Sequence, residues 1–464
     1  MSKTTSPSPS RPSVKIAYIG GGSRNWARDL MKDLASQAGF DGEIVLYDID
    51  HPAALKNVEI GSKIFGRPEA VSSFKVRAVK TLKACLTKAD FVVISIEPGP
   101  TENRFADLII PENYGIIQPV GDSSGPGGWL RGLRSIPLFE GFAHAIMKHC
   151  PKAWVINYTN PMTLCTATLY AAEPDIQAFG CCHEVFSTQQ KLLKMAEEAF
   201  GFKDLKRDEI KVNVNGVNHF TWVTEATCRG KDLMPLVDAY ARNPDNFTDA
   251  TKISRSRTRK GEIYASEGMV SMDLYRRFGA LGAAGERHLV EFVPWYVRNL
   301  KTLHQWGVTC TPYSLRLERS QQKDVSGNEY GQKELNPSGE EGVQQMEAIL
   351  GLRELDTNVN LPNLGQSPDL PLESVVETNA AFRQGKVTPL MAKALPVGAT
   401  CLVERIISVQ EMTLEAALNR DLDAAIAALL CDPLVNIATD KAVEMAREMI
   451  QHISPELKSL GYKI

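Results

Sequence analysis

Along the first two hundred positions, apolar residues fall in short unbroken runs, each followed by residues at helical spacing. Ile16–Ile19 is the first run. It ends at Gly20, Gly21 and Gly22, after which Trp26, Leu30, Met31 and Leu34 recur three and four residues apart. The pattern predicts strand, glycine turn and helix. Glu43–Asp48, Ala89–Ile96 and Trp154–Asn160 read as further strands. From about 13 to 180 such strands alternate with helical stretches, which predicts a parallel sheet covered on both faces. Beyond 200 the rhythm changes to charged helical stretches and loops. The segment 240–262 is rich in Asn, Asp, Arg and Thr and reads as an excursion. A helix is expected to stop at Gly279, Asn358–Gly365 to be irregular backbone, and Val409–Leu430 and Leu434–Ile450 to be amphipathic helices broken at Asp432-Pro433. Residues 317–340 are polar and read as loop or exposed helix.

The glycine turn gives this pattern a chemistry. Glycines let a backbone approach a pyrophosphate, and a helix start offers unpaired N–H groups to it. The fingerprint is incomplete, because Asn25 stands where a third glycine is usual. Asp48 lies 26 residues after Gly22, at the end of the second strand. A carboxylate there suits ribose hydroxyls and repels a 2′-phosphate, pointing to NAD rather than NADP. Asp50 is the rival acid.

Four further constellations qualify as site candidates. The loop Gln118–Arg134 is dense in Pro and Gly; it is either a tight connection or a loop presenting Asp122 and Arg131 to a ligand. Asn157-Tyr-Thr-Asn160-Pro161 is a strand end running into a helix, where Asn160 either binds a ligand or caps the helix. Gly180-Cys-Cys-His-Glu184 and Gly216-Val-Asn-His-Phe220 pair thiols with an imidazole. These suit an open divalent-metal site, or else are a buried cysteine and a satisfied histidine. Glu286, Arg287, His288 and Glu291 cluster after Gly285, as ligand-facing groups or as a solvated turn.

At 464 residues the chain exceeds one ordinary domain. The expected division is a disordered Ser/Pro/Thr-rich tail over 1–13, a Rossmann-type parallel domain over 14–200, and a C-terminal α+β substrate or catalytic domain over 201–464. A net charge of −3 gives no hint of nucleic acid or anionic membranes. No apolar run is long enough to span a bilayer. The nine cysteines lack framework spacing, so reduced thiols and a cytoplasmic location are expected. Apolar helical surfaces suggest a homo-oligomer, a dimer or a tetramer.

Taken together, Ile19-Gly-Gly-Gly-Ser23, Gly121-Asp-Ser-Ser-Gly-Pro-Gly-Gly128, Asn157–Pro161, Cys181-Cys-His-Glu184, Gly216-Val-Asn-His219 and Leu361-Pro-Asn-Leu-Gly365 resemble glycoside hydrolase family 4, from Lys15 to about Asp432. The nearest likeness is to its α-galacturonidase branch. The resemblance implies a lactate/malate dehydrogenase-like fold, NAD and a manganese-like ion as cofactors, and a small glycoside as substrate. It implies Cys182 and His219 as metal ligands. Gly20, Gly21, Gly22, Ser23, Arg24, Asp48, Glu97, Asp122 and Asn157 are the expected cofactor contacts. Asn160, Arg131, Arg287 and His288 are expected to hold the sugar, with Arg287 or Arg131 pairing a uronate carboxylate. Glu286 is assigned as the base, where relatives carry Asp. His183 joins it as a catalytic residue, where some relatives carry an acid. Phe278 replaces a tyrosine of close relatives and has no proton chemistry.

The implied reaction explains why both cofactors are needed. A sugar C2–H is too weakly acidic for a side-chain base. Hydride transfer from C3 to NAD makes a ketone beside it, the metal steadies the enediolate, and the C1 leaving group departs by elimination. Water then adds and the hydride returns. Uronides are favoured over phosphoglycosides because no phosphate-binding motif is evident. The alternatives are an α-glucuronidase, α-galactosidase or α-glucosidase of the same family, an ordinary NAD-dependent dehydrogenase, and an NAD-sensing binding protein.

Overall fold

The computed structural model describes residues 11–322, 324 and 334–464. Most of the expected tail lies outside these residues, and Ser13 already begins the first strand. Strands β1 (Ser13–Ile19), β2 (Asp41–Tyr47), β3 (Phe74–Val79), β4 (Phe91–Ile94), β5 (Trp154–Asn157) and β6 (Gln177–Gly180) are parallel, in the spatial order β3-β2-β1-β4-β5-β6. Side chains alternate across β1. Ile16 and Tyr18 join the core on one face, and Ala17 and Ile19 the core on the other. A strand buried on both faces has to be apolar throughout, which is why these runs lack polar alternation.

The strand order reverses between β1 and β4, and the carboxyl ends splay apart there to leave a crevice. The glycine turn leaves β1 at this crevice, and the segments after β5 and β6 line its continuation.

The sheet does not stop at β6. Strands β11 (Leu355–Pro362), β12 (Val375–Arg383) and β13 (Lys386–Pro389) return from late in the chain and extend it antiparallel to nine strands. Most of the stretch expected to be irregular, Asn358–Gly365, is therefore strand. Val359, Ala380 and Phe382 share a core with Ile16 and Ile44. The part of the chain after 200 thus completes the first sheet as well as forming a second one. That second sheet is antiparallel, from β7 (Ile210–Val217), β8 (Phe220–Cys228), β9 (Lys231–Asp232) and β10 (Leu281–Gly282). Trp222 is fully buried in it, and Phe220 stacks on Phe292 with centroids 4.8 Å apart.

The 240–262 excursion contains the helix Thr251–Lys260, and the helix Met269–Phe278 ends where expected, on Gly279 at φ +75°. The C-terminal helices are Val397–Leu418, Leu422–Leu430 and Thr439–His452, so the first starts a dozen residues before its expected bound. The polar stretch begins as the helix Tyr313–Gln321, and most of its remainder lies outside the described residues. All nine cysteines are free. Among the described residues no helix is long and apolar enough to cross a membrane.

Candidate active site

The glycine turn is fitted too tightly for any other residue. Gly20 sits at φ +93°, and a Cβ on it would lie 1.9 Å from the Ser95 carbonyl oxygen. Asp48 holds the far side of the turn, accepting from the Gly22 amide at 2.7 Å and the Asp50 amide at 2.8 Å. Asp50 caps the next helix through Ala53, which accounts for the rival acid. The helix Trp26–Gln37 has no side-chain cap, so its first-turn N–H groups face the crevice without one. This end fits a dinucleotide.

Further along the crevice lies a cavity of about 680 Å³, lined among others by Trp26, Asp122, Tyr158, Asn160, Cys182, Glu184, His219, Arg287, His288 and Arg316. Each comes from a different local device. Cys182 and His183 follow β6. His219 is the second residue of the two-residue turn joining β7 to β8, at φ +64°. A non-glycine residue there costs roughly 1–3 kcal/mol, and such strain gathers at functional sites. His288 rides on the helix Glu286–Phe292, and Asp122 on the loop before the helix Gly125–His149.

Donor atoms of Asp122, His219 and His288 all lie within 4.8 Å of one another. The His219 Nδ1 is 2.8 Å from the Ser123 hydroxyl, which orients the ring and leaves Nε2 for an ion. The His288 Nδ1 is buried without a hydrogen-bond partner. Burial and the neighbouring His288 hold His219 down to about 3, so it is neutral and able to ligate. Burial works against the Asp122 charge, but His288 with the Arg104 and Arg131 cations more than offsets it and keeps the carboxyl ionised. Cys182 is buried beside this group, and burial with the Glu377 and Glu184 charges raises its thiol. A divalent ion would reverse that by displacing the proton. Carboxylate, imidazole and thiol together fit a borderline divalent ion. His288 and Asp122, expected at the sugar and the nicotinamide, thus gather around His219.

Asn160 keeps its place. It does not cap the following helix, and its Oδ1 is buried without a partner at the cavity wall. His183 stands at the rim, its Nδ1 2.8 Å from a Glu340 oxygen and its ring stacked on Trp26. Arg24 is exposed on the glycine-turn side, donating to the Gln322 carbonyl at 2.7 Å, and the Ser23 amide closes the turn onto Gly20.

Four of the expected site groups are engaged by hydrogen bonds within the protein, although Glu286 also lines the cavity. Glu286 is buried and accepts from the amides of Gly268, Val270 and Ser271 at 3.1, 2.6 and 3.2 Å, so it caps the helix Met269–Phe278. A carboxylate so engaged is a poor base. Asn157 folds its own turn, bonding Thr159 in both directions, and has no capacity left for a cofactor. Glu97 and Arg131 engage each other as a fork, and Arg131 also donates to the Asn160 carbonyl at 2.8 Å. That pair positions Asn160; Arg131 is buried, whereas the Glu97 side chain remains 45% exposed.

Glu184 and Arg316 were given no role from the sequence, and Glu291 was noted only as part of the cluster after Gly285. Glu184 reaches the cavity, 3.7 Å from the His288 Nε2, and accepts from the Gly285 amide at 2.5 Å. Glu291 accepts from the Val120 and Gly121 amides and so fixes the loop bearing Asp122; burial and the Asp122 charge push it up to about 8. Arg316 lines the cavity from the helix Tyr313–Gln321. Glu184 stood inside a quoted motif. Glu291 stood in the polar cluster after Gly285, and Arg316 carried no local signal.

A family model described as family 4 glycosyl hydrolase matches residues 15–198, and one described as the C-terminal domain of that family matches 214–435. An alpha-galacturonidase of Thermoanaerobacterium saccharolyticum is 44% identical over 461 residues, 97% of each chain. The crystal structure of a putative glucosidase of Bacillus subtilis superposes with a TM-score of 0.86 at 42% identity, over 94% of this chain and 100% of that one. A 6-phospho-alpha-glucosidase from gut microorganisms, in complex with NAD and Mn2+, shares the fold at a TM-score of 0.75 and 17% identity, over 96% and 99%. A malate dehydrogenase of Naegleria fowleri matches at 0.50 and 12%, over 88% and 99%, which places the architecture among the dehydrogenase-like α/β folds. Matched along almost its whole length in sequence and in fold, the chain belongs to family 4 of the glycosyl hydrolases.

Proposed function

We propose that the chain is an α-galacturonidase, using NAD at the glycine turn and a divalent ion such as Mn2+ at Cys182, His219 and the adjoining Asp122 and His288. The observation that carries the reading is the Asp122–His219–His288 cluster, with His219 buried, which shares one cavity with Cys182 and with Trp26 of the helix that follows the glycine turn. The 44% identical relative and the NAD- and Mn2+-bound fold neighbour support it.

When bound, the two cofactors supply reversible oxidation at C3 and polarisation of the oxygen beside C2. The chain's own residues do the rest. Asn160 offers its unpartnered Oδ1 to a sugar hydroxyl. Ser123 holds the His219 ring in the ligating tautomer. Glu184, in the position first given to Glu286, takes the proton from C2, with His288 beside it to share the charge. Trp26 and Tyr158, with centroids 5.1 Å apart, wall the cavity against water.

A panel of aryl α-galacturonide, α-glucuronide, α-galactoside and α-glucoside, assayed with NAD before and after chelation, tests this. The α-galacturonide is cleaved fastest, chelator abolishes turnover, Mn2+ restores it, and NADH does not accumulate. Full activity in metal-free protein, or steady NADH release, contradicts it.

A further inference from the structure

Two arginines line the cavity, Arg287 and Arg316, and they differ from four others that pair with carboxylates. Arg104 and Arg131 share Glu97, and Arg134 makes a two-bond fork with Asp107 at 2.9 and 2.8 Å. Arg28 does the same with Asp324. Each of these four has a carboxylate partner within the protein. Arg287 and Arg316 are different. Arg287 donates to the carbonyls of Thr309 and Pro119 and to the Thr311 hydroxyl, with its guanidinium over the Tyr264 ring. Arg316 donates to the Val120 carbonyl at 2.9 Å, and its Nε is buried with no partner. Among the described residues neither forms an ion pair.

We propose that Arg316, with Arg287 beside it, is the receptor for the C6 carboxylate of the sugar and selects uronides over neutral glycosides. The proposal rests on the galacturonidase reading above and names the residue that enforces it.

Asp122 and Glu97 act on Arg316 from outside ion-pair range, so two cations side by side lack a carboxylate in contact, and a pocket wall is where a ligand supplies one. Burial and the nearby Arg104 and Arg287 cations lower Arg316 to about 10, so it stays charged at neutral pH but would gain from an anion. Of five guanidinium N–H groups one is engaged by Val120, leaving enough for a two-pronged carboxylate contact. Arg287 is held by backbone carbonyls and an aromatic ring, so it is already oriented when substrate arrives. The neutral analogue would leave both cations desolvated and unpaired, which is how a polar site rejects a substrate lacking the matching group. The nucleotide's own phosphates have their seat elsewhere, at the glycine turn and the uncapped helix Trp26–Gln37.

The test compares kcat/KM for aryl α-galacturonide, its methyl ester and aryl α-galactoside in wild type, Arg316→Met, Arg316→Lys and Arg287→Met, with NAD affinity measured by fluorescence. The galacturonide-to-galactoside ratio is expected to fall about 100-fold in Arg316→Met, mainly through KM, and about 10-fold in Arg287→Met. Arg316→Lys restores part of the ratio, because it returns the charge without the fork. NAD affinity stays within about twofold. An unchanged ratio in Arg316→Met overturns the proposal. So does an equal loss on all three substrates, or weakened NAD binding as the sole effect. Should Arg316→Met not fold, Arg316→Lys decides: a wild-type ratio there overturns the proposal and a reduced one supports it. A wild type showing no preference for the galacturonide would instead remove the galacturonidase reading itself.

Discussion

The two ends of the crevice are built by opposite means. The glycine end is made almost wholly from one run of about 35 residues, Lys15 to Asp50, whose strand, turn, helix and acid meet because they are neighbours in sequence. The sugar end draws on separate segments around positions 122, 160, 182, 219, 288 and 316, brought together only by the packing of two sheets. Local construction leaves a local signature. Distributed construction leaves residues whose neighbours in sequence say nothing of their neighbours in space. The contrast also predicts different failures. Damage to the glycine end is steric and takes the local fold with it, whereas damage to the sugar end removes chemistry and leaves the scaffold standing.

The largest effects that would break this contrast lie at the sugar end. Cys182→Ala and His219→Ala should each lower kcat by at least about 1,000-fold and abolish Mn2+ binding by calorimetry, with thermal stability of the metal-free protein nearly unchanged. Alanine at position 219 keeps the φ +64° backbone of the turn, so no strain is relieved by that substitution. A variant with wild-type turnover would remove that residue from the ligand set. Glu184→Gln should fall about as far while still binding Mn2+ and NAD, because only proton transfer is lost. If it retains activity, the base lies elsewhere.

At the glycine end, Gly20→Val should prevent NAD binding and lower the melting temperature together, since its Cβ has nowhere to go. Normal stability with normal NAD affinity would show the turn to be more yielding than the close contact with Ser95 implies. Glu286→Ala comes next. It removes three hydrogen bonds to a helix start and should cost about 2 kcal/mol of stability, measured by denaturant unfolding, with kcat per folded molecule within a few-fold of wild type. A loss of kcat beyond 1,000-fold at full stability would return Glu286 to the role of base. The smallest effect is expected from Asp48→Asn, about a tenfold loss of preference for NAD over NADP.

What was legible in the sequence follows the same division. β1, β2, β4 and β5 were found because a strand buried on both faces must be continuously apolar. Asp48 stood out because its distance from the glycines is fixed by one strand and one helix, and its carboxylate does meet the glycine turn at the Gly22 amide. Cys182 and His219 came from quoted motifs, and their place in one cavity agrees with a shared ion. β11 was misread because Asn358, Asn360 and Pro362 look like loop residues. Their polar side chains serve the site from within a strand: Asn358 donates to the Cys182 carbonyl and to Glu377, which also accepts from Asn218 and Thr221. Arg131 and Glu97 were misread for a related reason. Each is a plausible ligand contact alone, and only the fold shows that they satisfy each other. Glu286 lines the cavity while bonding the start of the helix Met269–Phe278, and the sequence cannot tell a carboxylate facing a sugar from one facing a helix start ten residues or more away.

The central claim is that C2 gives up and regains a proton during every turnover. Proton NMR of the sugar released from an aryl α-galacturonide in D2O, with NAD and Mn2+ present, tests it most directly. Deuterium at C2 in essentially every product molecule is the predicted result, and full retention of the C2 proton would contradict the account.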